Sequence, residues 1–396
     1  NEKEPFLISG KNAVAINQYN NLPYAIFFLM NNSQVFMPFA RDSVATSISE
    51  KISAEREKEI TLFRELEEKG EISDEILKLI ANDRRCYYDA LASTIISVKY
   101  SNSILLEGRK LPPAQALIMK YTDDMKAIWE KAVSRAESDQ AEIAASPYWN
   151  YYYQNYIYFK LYFGNELSPA KRSELYKAES FSTFFVNEGA KKYLPQPLFE
   201  AFFANFIFYE CLVYENETYE IVTLYNQFVT EYPNSIYTKY LTPYIDKIND
   251  FHKKIAAPEL SENVKYVENY ENLNTLKDCL ALFKGKKLYI DLWASWCGSC
   301  RLEFSKKAEL DSLLASKGIE ILYLSMDEDK YEKNWKDLIK YYNLEGYHVR
   351  ANKSLSADMI RLQNAGNESY YVPWHIMFDE AGNKVDLPSE IEELLK

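Results

Sequence analysis

The stretch LYIDLWASWCGSCRLEF, Leu288 to Phe304, runs an apolar, strand-like segment with one carboxylate into two cysteines three positions apart. A cysteine pair with two residues between fits redox exchange, half of a metal site, or two core thiols. Structural zinc needs four ligands, as a rule with a second Cys or His pair. His252, His348 and His375 form no such pair, and no second CxxC is present. Core thiols would not need a place at a strand-to-helix turn. With a strand ending near Ala294 and a helix starting at Cys297, Cys297 falls on the first helical turn, where unpaired N–H groups and the positive dipole end favour a thiolate. Cys300 lies on the same face and can close a disulfide with little backbone movement. Cys297 is expected to be the nucleophile and Cys300 the resolving thiol, with no metal and no cofactor beyond the Cys297–Cys300 disulfide.

Two carboxylates flank the pair. Asp291 sits inside the apolar run, where an acid is costly unless protonated or partnered; beneath a disulfide it can trade a proton with the resolving thiol. A strand-edge acid is the plain alternative. Glu303 lies one helical turn after Cys300 and can take the same role or raise the thiol by repulsion, or it is a solvated helix carboxylate.

Working outward, 396 residues exceed one ordinary core and imply two or three domains. A net charge of -12 and the lack of a basic stripe argue against a nucleic-acid partner. No apolar run reaches the roughly 18 to 20 residues of a membrane helix. The chain begins at Asn1, which suits a mature or trimmed form whose targeting segment or anchor is gone. Cys86, Cys211 and Cys279 are scattered in apolar or helical contexts and read as small buried hydrophobes.

Three zones follow from the patterning. Residues 1–48 alternate apolar and polar with Asn-rich breaks, which predicts a small β-rich segment. Residues 49–255 read as a helical domain rich in Tyr and Phe, with breaks at Gly70, near Leu111 and near Leu167. Its aromatic band is either a groove for a peptide or glycan, or ring packing between helices with hydroxyls reaching water or backbone. AAPELSEN, from Ala256, reads as a linker. Residues 256–396 alternate apolar runs (KKLYIDLWA, IEILYLSMD) with helical stretches, then a strand pair turning at DEAGN and a last helix. The expected fold is multidomain α+β: a β-rich start and a helical domain, followed by a C-terminal α/β domain.

DLWASWCGSC resembles the thioredoxin active site, with an aspartate six residues before the first cysteine and a Trp just before it. Glu303, with Arg301 before it, is similar to the TlpA/ResA branch of extracytoplasmic thiol-disulfide oxidoreductases. The resemblance covers roughly residues 260–396 and implies a thioredoxin-like domain. It also implies that Val372–Pro373 in YYVPWHIMF is the cis-proline set opposite the disulfide, where Trp296, Gly298, Ser299, Val372, Pro373 and Trp374 would hold a partner chain; the plain alternative is an edge-strand proline. Ser305, Trp374 and the Gly-Ser dipeptide between the cysteines depart from the family pattern and bear on substrate choice and potential. A peroxidase would carry Thr or Ser three residues before its cysteine, where this chain has Ala294.

The whole arrangement, a long N-terminal region leading into the redox domain, resembles TlpA-like envelope proteins of Bacteroidetes, often lipid-anchored. It implies a periplasmic or membrane-anchored thiol-disulfide oxidoreductase that acts on disulfide-bearing or thiol partner proteins and is recharged by an upstream thiol reductant or membrane electron donor. The alternative is a helical partner- or glycan-binding module with an accessory redox domain.

Overall fold

A computed structural model describes residues 12–22, 36–105, 120–257, 260–364 and 370–395. The chain divides into two units, Asn1–Asp246 and Lys247–Lys396.

In the N-terminal unit the described elements are helical. They include α1 (Ala13–Asn20), α2 (Met37–Ala40), α3 (Ala45–Glu68), α4 (Asp74–Leu105), α5 (Met125–Val133), α6 (Trp149–Phe163), α7 (Gln196–Leu212) and α8 (Tyr219–Glu231). The strands expected in residues 1–48 fall for the most part outside the described residues. Where that segment is described, at 12–22 and 36–48, it is helical. Ala13 and Ala15 are the buried residues of α1, and Ala15 packs with Leu22, with Phe63 of α3 and with Ile72.

α3 and α4 are joined by a buried pair. Arg84 Nε donates to Glu59 at 2.7 Å, and the Tyr88 hydroxyl donates to the other Glu59 oxygen at 2.7 Å. Full pairing is what makes such buried charge tolerable. The tyrosine band follows the same logic. Tyr152 and Tyr153 of α6 are wholly buried, and their hydroxyls find backbone: Tyr152 accepts from Arg135 N at 3.1 Å, and Tyr153 donates to Ala136 O at 3.2 Å. These rings fill the packing between helices while their polar ends stay satisfied.

The division between units falls inside α9 (Thr238–Ala256), not at the AAPELSEN linker. The reason is packing. Phe251 is buried in the core of the C-terminal unit, with Ile255 packed against it, and the Phe251 ring centroid lies 5.0 Å from that of Tyr341.

The C-terminal unit is a mixed six-stranded sheet in the order β1-β4-β3-β2-β5-β6. The strands are β1 (Val264–Tyr266), β2 (Lys287–Trp293), β3 (Ile319–Ser325), β4 (Gly346–Arg350), β5 (Trp374–Phe378) and β6 (Lys384–Val385). β1, β4, β3 and β2 run parallel, while β5 is antiparallel to β2 and to β6. The helices are α10 (Leu276–Ala281), α11 (Gly298–Phe304), α12 (Ala308–Ser316), α13 (Glu332–Tyr342), α14 (Lys353–Asn364) and α15 (Ser389–Leu394). The long crossovers between parallel strands require such helices.

Local sequence sets the helix ends. Thr275 and Asp278 form a capping box on α10. α13 buries Trp335, Leu338 and Ile339 at helical spacing and ends on Asn343 with φ 46°.

β2 decides the position of the site because its side chains alternate between two cores. Leu288, Ile290 and Leu292 enter the larger core with Ile376 and Phe378 of β5. Tyr289 enters a smaller one with Leu314 of α12, Met377 of β5 and Ile391 of α15. Asp291 and His375 have the parity of Tyr289 and Met377, and the register places them directly opposite each other.

Candidate functional site

β2 ends at Trp293 and hands the chain through Ala294, Ser295 and Trp296 to the two cysteines. Cys297 is the N-cap of α11, and its sulfur accepts from the Cys300 amide at 3.1 Å. That amide is one of the orphan donors of a helix N-terminus, so a thiolate at Cys297 would be held by it and by the helix dipole. Cys297 and Cys300 form a disulfide with their Cα atoms 5.3 Å apart. Cys300 is completely buried and Cys297 is 5% exposed. Trp296, Gly298 and Ser299 around them are exposed, and Ser299 Oγ lies 3.4 Å from Cys297 Sγ.

The loop is anchored from below. Buried Asp327, just past β3, accepts from Ser295 N and Ser295 Oγ at 2.8 Å each and from Ser325 Oγ at 2.7 Å. Asp327→Ala leaves these buried donors without an acceptor, which is expected to cost about 1–3 kcal/mol. Denaturant unfolding of the full chain checks this, and an unchanged unfolding midpoint would contradict it.

The carboxylates expected from the sequence meet at one histidine. Asp291 Oδ1 is 3.8 Å from His375 Nδ1, and Glu303 Oε2 is 3.2 Å from His375 Nε2. The second contact is a close ion pair outside good hydrogen-bond geometry. The Tyr289 hydroxyl is 2.7 Å from His375 Nδ1, and the two rings stack at 5.7 Å. Burial pushes the Asp291 carboxyl up to about 6, and Glu303 adds to the rise while His375 opposes it. His375 is pulled down by burial but more strongly raised by Glu303 and Asp291, so it ends above its ordinary value.

Val372–Pro373 is a cis peptide bond immediately before β5. Leu292 stands opposite Trp374, so Pro373 comes level with Trp293 at the end of β2. Val372, Pro373 and Trp374 are half-buried; Val372 and Trp374 pack on the larger core, and Lys384 Nζ lies 5.7 Å from the centre of the Trp374 ring. Tyr370 meets Trp296 edge-on at 6.4 Å, and Tyr371 beside it is exposed.

Sequence reasoning did not single out His375, Tyr289 or Asp327. A histidine two residues after Pro373 in an otherwise apolar strand was a signal, but its partner followed only from the β2–β5 register. His348, by contrast, is an interior residue: its Nε2 lies 2.7 Å from Leu344 O, and burial pushes it down to about 4. Cys86 and Cys279 are buried free thiols and Cys211 is half-buried; burial pushes each up to about 12, which keeps all three protonated at neutral pH. Among the described residues no group of three or more His, Cys, Asp or Glu is arranged to hold a metal ion.

Residues 247–385 match the family model described as Redoxin. An uncharacterized protein of Haemophilus influenzae is 35% identical over 74 residues, which are 18% of this chain and 46% of that protein. The thiol-disulfide oxidoreductase ResA of Bacillus thuringiensis is 33% identical over 63 residues, 16% of this chain and 35% of the relative. The chain therefore spans less than half the length of either relative. Among solved structures, the thioredoxin domain of a thiol-disulfide oxidoreductase from Bacteroides vulgatus is 23% identical and covers 30% of this chain and 84% of that one, with a TM-score of 0.24.

Proposed function

We propose, from a C-terminal unit that carries a Redoxin domain, that this chain is a thiol-disulfide oxidoreductase of the TlpA/ResA type that reduces disulfides of partner proteins in the cell envelope. One observation carries the reading: a cysteine pair closed as a disulfide at a helix N-terminus, its outer cysteine flanked by exposed Trp296, Gly298 and Ser299.

The cycle balances with this chain's own groups. The Cys297 thiolate attacks one sulfur of a partner disulfide; the partner bond breaks, and the leaving thiolate takes a proton from solvent. Cys300 gives up its proton, attacks Cys297 Sγ and expels the second partner thiolate. Two electrons pass from the cysteine pair to the partner, and an upstream thiol reductant or membrane electron donor returns them. An envelope location, with a lipid anchor ahead of Asn1, belongs to the same proposal. No helix among the described residues is long and apolar enough to cross a membrane.

The helical unit as a partner- or glycan-binding module draws no specific support, because much of the aromatic band that suggested it is interior: Tyr152, Tyr153 and Phe203 are fully buried. The test is insulin reduction by the full chain at catalytic concentration with dithiothreitol. Precipitation of the insulin B chain is expected well ahead of the reductant-only control, and no acceleration at any pH from 6 to 8 would sink the proposal.

A further inference from the structure

Outside the cysteines, the C-terminal unit gathers four polar side chains on the sheet face that carries the smaller core. Tyr289 and Asp291 come from β2, His375 from β5 and Glu303 from α11. The His375 ring is 11% exposed, Asp291 7% and Glu303 28%. A histidine between a buried and a half-buried carboxylate is more than a packing choice, since an apolar side chain at that position would have matched Met377 and avoided the desolvation cost.

The Nδ1 side of the imidazole has a partner in both protonation states. When Nδ1 carries a proton it donates to the Tyr289 oxygen; when Nδ1 is bare the Tyr289 hydroxyl donates to it, by rotation of one O–H with every heavy atom still. Tyr289 itself stays neutral, because burial raises its pKa far above the ordinary range. Nε2 faces the Glu303 carboxylate at 3.2 Å, and Asp291 Oδ1 has no hydrogen-bond partner among the described residues. The groups acting on the cluster from adjoining elements are Lys307 and Asp311, an ion pair at the start of α12, of opposite sign to each other. His375 thus stands between the two carboxylates, 3.8 Å from Asp291 Oδ1 and 3.2 Å from Glu303 Oε2, and both raise it above its ordinary value. Glu303 is one turn from Cys300 on the same helix face, and Asp291 is six residues before Cys297, near the end of the strand that leads into the cysteine loop.

We propose that His375 is a positioning residue for proton transfer at the cysteine pair, holding one proton between Asp291 and Glu303 so that an ionised carboxylate is available when Cys300 must release its own. The inference rests on the redox reading of Cys297 and Cys300. The proton leaving Cys300 is taken up by an ionised carboxylate of the cluster and passes from there to solvent or to the departing partner thiolate; no other co-reactant is needed.

The test uses the reduced full chain and a readout that does not require turnover. The rate of Cys297 alkylation by iodoacetamide is followed against pH in the wild type and in His375→Gln. Removing a cation from the cluster leaves its negative charge less compensated, so the thiolate midpoint in the variant is expected to move alkaline by about 1 pH unit. A merely structural role would lower the melting temperature without moving the midpoint. An unchanged or acid-shifted midpoint overturns the proposal. Should His375→Gln not fold, the wild-type imidazole titrated by NMR decides: a midpoint above about 6.5 that rises further on reduction is expected, and one at or below that value in both redox states overturns it. A chain that shows the alkylation shift but never reduces insulin refutes the proposed function and leaves the cluster intact, so the two failures are distinguishable.

Discussion

Cys297→Ser is expected to reduce insulin-reducing turnover to the background of dithiothreitol alone, while Cys300→Ser accumulates a mixed disulfide through Cys297. The asymmetry follows from burial. Cys300 has no exposed surface, whereas Cys297 stands at the helix N-terminus beside exposed Gly298 and Ser299. Without Cys297 there is no accessible sulfur to attack a partner. Without Cys300 the first exchange still occurs, and nothing displaces the partner. Mass spectrometry under non-reducing conditions after incubation with a disulfide peptide reads both. Adducts on Cys300 in the Cys297→Ser chain, at wild-type yield, would reverse the assignment of roles.

Asp291→Asn is expected to act in opposite directions on catalysis and stability. A buried base for the resolving thiol contributes typically about 10²- to 10⁴-fold, so the resolving step should slow by about that much at neutral pH. Stability should rise. Burial lifts the Asp291 carboxyl from its ordinary range to about 6. Between about pH 4 and pH 6 the native chain thus keeps a proton that the unfolded chain has released. The stability this contributes is fully present below about pH 4 and is lost as pH rises through 6. The neutral amide escapes that loss, which is worth on the order of 3 kcal/mol at pH 8, and its advantage vanishes at pH 4. Denaturant unfolding at the two pH values, with single-turnover kinetics, checks both parts. A variant less stable than wild type at pH 8 would contradict the account of Asp291 as a buried, desolvated acid.

The legible part of this chain was the part whose local structure depends on contiguous residues. A strand, a tight loop and a helix N-terminus within 17 residues carry Asp291, Cys297, Cys300 and Glu303, and the strand-to-helix turn expected from LYIDLWASWCGSCRLEF is present, with Cys297 as the helix N-cap. The cis bond at Val372–Pro373 followed from the resemblance and is present. What escaped depends on register and long-range packing. His375 gains its meaning from standing opposite Asp291 across an antiparallel pair, and strand register is set by the two cores that β2 separates rather than by any local signal. Asp327 is separated from Ser295 by a whole crossover. The short strands β1 and β4 carry too few residues to show a period. Near the start of the chain, the apolar–polar alternation that reads as strand over residues 1–48 falls largely outside the described residues, and the described part is helical. α1 is fixed by Phe63 and Ile72, far along the chain.

The most direct measurement is the redox equilibrium of the full chain in dithiothreitol or glutathione buffers, with thiols trapped by alkylation and counted. The chain has five cysteines, of which Cys297 and Cys300 form the disulfide and Cys86, Cys211 and Cys279 are free. A single two-electron transition confined to Cys297 and Cys300 is expected, with the other three remaining thiols at every poise when counted after denaturation. A potential near the thioredoxin value of about -270 mV is predicted for a reductase, against about -120 mV for a strong oxidant. A pair that stays fully reduced, or fully oxidised, across the whole accessible range would contradict the account.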